Sequence, residues 1–164
     1  MPKKKAATRK TTTTAKAAPK AGRTAPAPKA ARAAKSVPTV ADFMTRSPHT
    51  IGRDQTLKQA HDLMNKYRIR HLPVLEGGEL VGLVSQRDLY FVEALDGEAP
   101  ARITVEEAMS QDVFEVPLTA TLEQVTQSMV RKKHGCAVVL QDERVVGVFS
   151  TIDAMKALLH YLQR

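Results

Sequence analysis

The chain has 164 residues, a net charge of +8 and one cysteine, and it contains no apolar run long enough to cross a bilayer. This composition excludes a disulfide framework and a cysteine-rich metal site, and it indicates a soluble cytoplasmic protein without membrane contact. The charge is uneven. Residues 1–36 have eight lysines, three arginines and no acid, which gives +11, whereas the rest of the chain has 14 basic and 17 acidic residues, which gives −3.

The basic tail, residues 1–36, consists almost entirely of Lys, Ala, Thr, Pro and Arg and resembles histone H1-like tails in composition. It has no Val, Ile, Leu or aromatic residue whose burial could offset chain entropy, so we expect it to be disordered. A polycation binds phosphates by releasing counterions, which predicts contact with nucleic acid such as DNA. Another polyanion, an anionic surface or no specific partner are the alternatives. Its charged residues are Lys3, Lys4, Lys5, Arg9, Lys10, Lys16, Lys20, Arg23, Lys29, Arg32 and Lys35.

The rest of the chain contains one unit twice. A shift of 65 positions aligns residues 39–95 with 104–160 without a gap, and 13 positions are identical. Self-similarity at a fixed shift indicates one structural unit used twice. A lone unit of about 60 residues would bury too little surface to be more than marginally stable. We therefore divide the chain into the tail 1–36, repeat 1 at 37–97 and repeat 2 at 98–164.

The same elements are predicted in both repeats. Each begins with a short apolar turn and a brief strand, near residues 50–51 and 115–116. Thr56 and Thr121 then start Thr-x-x-Gln sequences followed by apolar residues at helical spacing, which predicts a capped amphipathic helix. Two apolar runs around a polar turn predict a β-hairpin covered by helices, and a second helix follows. The expected fold class is α/β (α+β), with two β-α-β-β-α units.

The sequence Gly-x-x-Ser-x-x-Asp occurs in both repeats, as Gly82–Asp88 and Gly147–Asp153, where a strand leads into a helix. Glycine there permits close backbone approach, and a helix N-terminus offers free N–H groups to an anion. The aspartate could accept hydrogen bonds from ribose hydroxyls, and the serine could donate one to a phosphate or sugar oxygen. Ser-x-x-Asp is also an ordinary helix cap. Spacing alone leaves both interpretations open.

The ordered motifs MTRSPHTI, RHLPVL and GLVSQRD resemble a cystathionine-beta-synthase (CBS) domain, and their repetition resembles a CBS pair, or Bateman module, over about residues 37–162. The resemblance implies two clefts between pseudo-symmetric repeats that bind an adenosine derivative such as AMP, ADP, ATP, S-adenosylmethionine or an NAD-related nucleotide. It also implies homodimers that associate through their helices. No further cofactor is required.

The resemblance also implies roles for individual residues. Asp88 and Asp153 would bind the ribose hydroxyls, with Ser85 and Ser150 as the neighbouring polar contacts. The residues implied around the adenine are Thr50, Ile51 and Val116 at its flanks, and Leu72 and Pro73 as an apolar wall.

Three basic residues of repeat 1, Arg70, His71 and Arg87, are the candidates for phosphate contact; otherwise they are solvated surface charges. Repeat 2 departs from this pattern, because Gly135, Cys136 and Ile152 occupy the matching positions. Val138 likewise replaces Pro73. We therefore expect the better-equipped cleft to use Asp88, with Asp153 in a second, less certain one.

No feature of the sequence indicates catalysis. The five histidines are not spaced three or four residues apart, so no metal site is expected, and Cys136 lies in an apolar strand, where a thiol is usually inert. Phosphate-binding loops, nucleophile elbows and dinucleotide fingerprints are missing from the sequence. The predicted function is nucleotide-sensing regulation without enzymatic activity. The alternative is an architectural, nucleoid-associated DNA-binding protein in which the CBS pair is a dimerisation scaffold.

Overall fold

The structure is a computed structural model, and it describes residues 37–96 and 99–163. The disorder predicted for residues 1–36 and part of the connection predicted between the repeats lie outside the described residues. Ser36–Arg164 form one compact unit, so both repeats belong to a single body.

Both repeats have the predicted β-α-β-β-α order, which confirms the expected fold class. Repeat 1 contains a 3-10 turn Val40–Asp42, β1 Thr45–Arg46, β2 Ile51–Gly52, α1 Leu57–Tyr67, β3 His71–Glu76, β4 Glu79–Ser85 and α2 Gln86–Asp96. Repeat 2 contains α3 Val105–Ala108, β5 Glu115–Pro117, α4 Leu122–Lys132, β6 Cys136–Gln141, β7 Arg144–Ser150 and α5 Thr151–Leu162.

The described strands form two sheets, in the orders β2-β3-β4 and β1-β7-β6-β5. In repeat 1, β2 runs parallel to β3, which pairs antiparallel with β4. In repeat 2, β5 likewise runs parallel to β6, which pairs antiparallel with β7. Strand β1 was not predicted. It belongs to repeat 1 by sequence but pairs antiparallel with β7 of repeat 2, with Thr45 opposite Val148 and Arg46 opposite Gly147.

The repeats exchange their opening residues, 39–44 and 104–109, which we call the lead-in segments. The first crosses to repeat 2, where the Val40 amide donates to Ala120 O at 3.0 Å and the side chain packs, fully buried, in the second core. The second makes the mirrored contact in repeat 1, because the Val105 amide donates to Gln55 O at 2.7 Å and its side chain is fully buried in the first core. Each core is therefore completed by the other repeat.

The predicted caps of helices α1 and α4 are present. Thr56 Oγ1 accepts from the Gln59 amide at 3.3 Å, and Gln59 Oε1 accepts from the Thr56 amide at 2.9 Å, which completes a capping box. Thr121 Oγ1 makes the first of these bonds, with Gln124, at 3.3 Å. Both helices end on a left-handed residue, Arg68 with φ 54° and Lys133 with φ 59°. The sharp turn after α1 directs residues 68–71 toward the seam between the repeats.

Each core contains a cross-strand pair of one larger and one smaller side chain, and the larger one is on the first hairpin strand in repeat 1 but on the second in repeat 2. In the first, Leu72 on β3 lies opposite Val84 on β4; in the second, Ala137 on β6 lies opposite Phe149 on β7. All four side chains are fully buried. A smaller residue on one strand is thus matched by a larger one across from it, which keeps the interior close-packed.

Candidate functional site

The Ser-x-x-Asp motif forms a helix cap in both repeats. The Ser85 amide and Oγ donate to Asp88 Oδ2 at 2.9 and 2.6 Å, and the Asp88 amide donates back to Ser85 Oγ at 3.3 Å. Ser150 and Asp153 form the same three bonds at 2.9, 2.7 and 3.4 Å. The capping interpretation is therefore confirmed at both positions. Each cap uses one oxygen of the aspartate, Oδ2, and leaves the other, Oδ1, for a further contact.

The second carboxylate oxygen differs between the repeats. Asp153 is 3% exposed, and its Oδ1 accepts from Lys156 Nζ at 3.0 Å. Asp88 is half-buried, and within residues 37–96 and 99–163 no side chain donates to its Oδ1. A ligand hydroxyl at Asp153 would therefore share or replace the ammonium group of Lys156.

The motif glycines lie at the seam between the repeats. A β-carbon built on Gly82 would lie 2.6 Å from Met109 Sδ, and one built on Gly147 would collide with Met44 Sδ. Close approach was expected to admit a ligand; the structure instead shows methionines of the lead-in segments in that space. The glycines are thus explained by the exchange of segments.

A cleft of about 560 Å³ lies between the repeats and is of the size that takes a small organic ligand. Its walls come from the loop after β1, the turn after α1, the end of β7 and the first turns of α5. The residues are Thr45, Arg46, Ser47, Pro48, His49, Arg68, Ile69, Arg70, His71, Val148, Ser150, Thr151, Ile152, Asp153 and Lys156. Repeat 1 therefore supplies one wall and repeat 2 the other.

Four of the predicted site residues line this cleft: Arg70, His71, Ser150 and Asp153. Arg70 and His71 were expected to serve the same cleft as Asp88, but the structure places them with Asp153. The reason is the pairing of β1 with β7, which brings the repeat 1 loop and the start of β3 to the N-terminus of α5.

Several other predicted site residues lie outside the lining of the cleft. Ile51 and Leu72 are buried in the first core and Val116 in the second, so they pack the interior instead of flanking this cleft. The remaining ones are Thr50, Pro73, Ser85, Arg87 and Asp88. Of these, Pro73 is buried in β3, and Arg87 is exposed on the first turn of α2.

The lining of the cleft is strongly basic. Arg46, Arg68, Arg70 and Lys156 are accompanied by two histidines, and Asp153 is the one carboxylate among the described residues that line the cleft. Its cations therefore exceed its acids before either histidine takes a proton.

His71 lies close to repeat 2 at the seam, where a β-carbon on Gly135 would lie 2.9 Å from its Nε2 atom. Burial lowers the pKa of His71 below its usual value, Asp88 opposes that shift, and Arg70 adds to it. His71 thus interacts electrostatically with the carboxylate of one motif, Asp88, while it lines the cleft of the other, Asp153.

Several lining residues were missed by sequence reasoning. Ser47, Pro48 and His49 lie in the quoted motif MTRSPHTI, yet only its neighbours Thr50 and Ile51 were selected. Ser47 adopts φ 47°, an uncommon conformation for a serine, and His49 stacks on Tyr67 with ring centroids 3.6 Å apart. Lys156 had a usable signal, because it follows Asp153 by three residues on a helix and therefore lies on the same face.

The positions that mirror this cleft by the 65-residue shift carry different side chains. Phe114 replaces His49 and stacks on His134, with ring centroids 5.0 Å apart and planes 15° from parallel. Cys136 replaces His71, and burial raises the pKa of its thiol to about 12, which keeps it protonated. The described residues contain neither a cluster of three potential metal ligands nor a helix long and apolar enough to cross a membrane.

Comparison with known proteins identifies the fold. The CBS domain family model matches twice, at residues 40–94 and 105–160. The chain belongs to the CBS domain family. The crystal structure of a candidate acetoin utilization protein (AcuB) from Vibrio cholerae is 33% identical, with a TM-score of 0.70, and the match covers 76% of this chain and 93% of that one.

Two CBS structures that share the fold contain adenosine compounds. The CBS pair of protein MJ0100, in complex with 5′-methylthioadenosine and S-adenosyl-L-methionine, is 24% identical with a TM-score of 0.70 and covers 76% of this chain and 98% of its own. CBSX2 in complex with AMP is 22% identical with a TM-score of 0.69, covering 77% and 99%. Inosine-5′-monophosphate dehydrogenase from Korarchaeum cryptofilum is 29% identical over 73% of this chain, which spans only 24% of the enzyme.

Proposed function

We propose that this CBS pair is a regulatory module that binds an adenosine nucleotide in the cleft between its repeats. The observation that carries the proposal is the convergence, in one cleft of about 560 Å³, of the capped carboxylate Asp153 with Arg70 and His71. Asp153 Oδ1 accepts the ribose hydroxyls, Ser150 lies beside it, and Arg70 faces the phosphate. The CBS structures that contain AMP or 5′-methylthioadenosine support this ligand class.

The proposed role is ligand sensing without catalysis. The inosine-5′-monophosphate dehydrogenase match covers about a quarter of that enzyme and falls on the CBS repeats, so its activity is not transferred to this chain. A regulatory signal requires a ligand that binds two states of the protein with different affinity. A cleft whose two walls belong to different repeats is suited to such a signal, because any change in the spacing of the repeats changes the site.

The test is isothermal titration of the full chain with AMP, ADP, ATP, S-adenosylmethionine and NADH. We expect at least one to bind, and Asp153→Asn to weaken it about tenfold or more, because a hydrogen bond to a charged acceptor contributes roughly 1.5–3 kcal/mol. Asp62→Asn is the matched control, since it makes the same change at an exposed carboxylate of α1 outside this cleft. The absence of both binding heat and a thermal shift with all five compounds would refute the proposal.

Asp88 and Ser85 are proposed for a second nucleotide cleft, formed at the mirrored positions of the seam. If Asp153→Asn and Asp88→Asn weakened the binding of one ligand equally, the two clefts would act as one site. A stoichiometry of two ligands per chain, reduced to one by Asp88→Asn, is the expected result. A stoichiometry of one that only Asp153→Asn affects would exclude the second cleft.

A second proposed function rests on the sequence of residues 1–36, with 11 basic side chains and no acid. We propose that this tail binds the phosphates of DNA and places the protein on the nucleoid. Each neutralised phosphate steepens the fall of affinity with salt, by roughly 0.9 in a plot of log K against log salt for duplex DNA. Deleting residues 1–36 is expected to abolish retention on DNA at low salt. Equal retention of the truncated chain would contradict the idea.

We further propose that the protein is a homodimer. Helices α2 and α5 occupy mirrored places in the fold, and both expose apolar side chains: Phe91 and Leu95 on α2 are 64% and 71% exposed, and Leu162 on α5 is 72% exposed. Helix faces of this kind are suited to a second copy of the same surface. Sedimentation of the full chain should give twice the monomer mass, and Leu95→Asp with Leu162→Asp should give the monomer. A monomeric wild-type chain would contradict this proposal.

A further inference from the structure

The two sides of the seam differ in charge, and this difference bears on ligand choice. We propose that the Asp153 cleft selects nucleosides with two or more phosphates, and that Arg68 and Arg70 determine this specificity. The inference rests on the proposed nucleotide site and specifies its ligand class.

The cations of the Asp153 cleft divide into two groups. Arg46 Nη2 donates to Ala41 O at 2.9 Å and Lys156 Nζ donates to Asp153 Oδ1 at 3.0 Å, so both already have partners. The guanidinium groups of Arg68 and Arg70 have no hydrogen bond or ion pair within the part of the chain that the structure describes. Two guanidinium groups two residues apart, on the turn between α1 and β3, are therefore available to an anionic ligand.

Their positions relative to the aspartate suit an extended ligand. Asp153 and Lys156 lie on α5 in the wall supplied by repeat 2, whereas Arg68 and Arg70 lie in the wall supplied by repeat 1. A ribose held at Asp153 can therefore direct its phosphates toward the opposite wall. Arginine binds phosphate oxygens through paired N–H donors, so each additional phosphate gains contacts that a nucleoside without phosphates lacks.

The mirrored positions lack most of this charge. The 65-residue shift replaces Arg46 with Gln111, Arg70 with Gly135 and Lys156 with Phe91. It keeps a cation where Lys133 replaces Arg68 and adds one where Arg87 replaces Ile152, so four cations become two. An acid, Asp112, stands where the first cleft has Ser47. The preference for phosphates is therefore assigned to one cleft and follows from residues that the repeats do not share.

The experiment compares adenosine, AMP, ADP, ATP and S-adenosylmethionine at one fixed ionic strength with the full chain. Affinity should rise with each phosphate and be weakest for adenosine and the sulfonium compound. Arg70→Gly, which installs the residue of the mirrored position, should weaken ATP about tenfold to a hundredfold while leaving adenosine within about twofold. Arg70→Gln tests the same charge without adding backbone freedom, and Arg131→Gln on α4 is the matched surface control.

Two results would overturn the proposal: equal affinity for AMP and ATP, or an equal loss of adenosine and ATP in both Arg70 variants. Titration with inorganic tripolyphosphate distinguishes failure of the phosphate preference from failure of the proposed nucleotide site. Binding of tripolyphosphate that depends on Arg68 and Arg70, without binding of any adenosine compound, would refute the proposed function but retain the charge preference. Binding of adenosine and ATP with equal affinity would retain the function and refute the preference.

Discussion

Repeat 1 and repeat 2 have the same fold, but their side chains differ in one way in the cores and in another way in the cleft. In the cores a change in one repeat is compensated, since Leu72 opposite Val84 becomes Ala137 opposite Phe149. In the cleft the charge is not kept, since Arg70 and His71 become Gly135 and Cys136. Across from them Arg87 takes the place of Ile152, but Phe91 takes the place of Lys156. Packing constrains a sum of volumes, whereas a ligand site constrains individual groups. The comparison thus separates positions that maintain the fold from positions that are free to specialise.

The largest effect is expected from removing the large residue of the second core. Phe149→Ala should lower the free energy of unfolding by about 3–5 kcal/mol, because the fully buried ring leaves a cavity. Val84→Ala, the matched change in repeat 1, removes fewer atoms and should cost less. Urea unfolding of both variants gives the comparison. A smaller loss for Phe149→Ala than for Val84→Ala would contradict this account of the cores.

Transplanting the packing of repeat 1 into repeat 2 sharpens the same comparison. Ala137→Leu alone should overpack the core and cost about 1–3 kcal/mol. Combined with Phe149→Val, which makes room across the β6–β7 pair, it should cost less than the sum of the two single changes, with a coupling of about 0.5 kcal/mol or more. Additive losses in a double-mutant cycle would show that the pairs are not compensating.

A third prediction concerns the glycines of the seam. Gly147→Ala should destabilise the protein by about 1–3 kcal/mol, because the added methyl group collides with Met44 of the lead-in segment. Met44→Ala in the same chain should remove part of that penalty. The mirrored pair, Gly82→Ala with Met109→Ala, should behave alike. Thermal unfolding of the single and double variants is the measurement, and additive losses for Gly147→Ala and Met44→Ala would contradict the contact.

The smallest effect is expected from His71, whose counterpart Cys136 does not titrate in the same range. Burial lowers the pKa of His71 below its usual 6.5, so the folded protein binds this proton less readily than the unfolded chain. The stability contributed by neutral His71 is therefore complete above about pH 6.5 and is lost as the pH falls through the lower pKa of the folded state. Melting temperatures at pH 7.5 and 5.5 should differ less in His71→Gln than in the wild type. An unchanged difference would show that His71 is not the group responsible.

Local patterns were sufficient to predict each repeat, since capping sequences, apolar spacing and hairpin turns act over a few residues. The helices, the hairpins and the brief first strands lie where these patterns indicated. Strand β1 was missed because its two residues pair with β7, about 100 residues later in the chain, and no local pattern records that contact.

The site was predicted in part for the same reason. Ser150 and Asp153 were recognised from a motif, and Arg70 and His71 from their charge, but their assignment to one cleft depends on the exchange between repeats. Sequence proximity favoured Asp88 as the partner of Arg70, whereas the structure lines one cleft with Arg70 and Asp153. Charge and capping are visible in a sequence; which wall faces which is decided by the packing of the two repeats.

Because each lead-in segment completes the core of the other repeat, opening one repeat disrupts part of the core of the other. We expect residues 37–163 to unfold in a single cooperative transition rather than as two modules. A ligand that binds between the two walls then stabilises the whole unit by an amount that grows with the logarithm of one plus the ratio of its free concentration to its dissociation constant. The melting temperature of this protein therefore reports the ligand concentration relative to the dissociation constant of the cleft, and it continues to rise after the cleft is full.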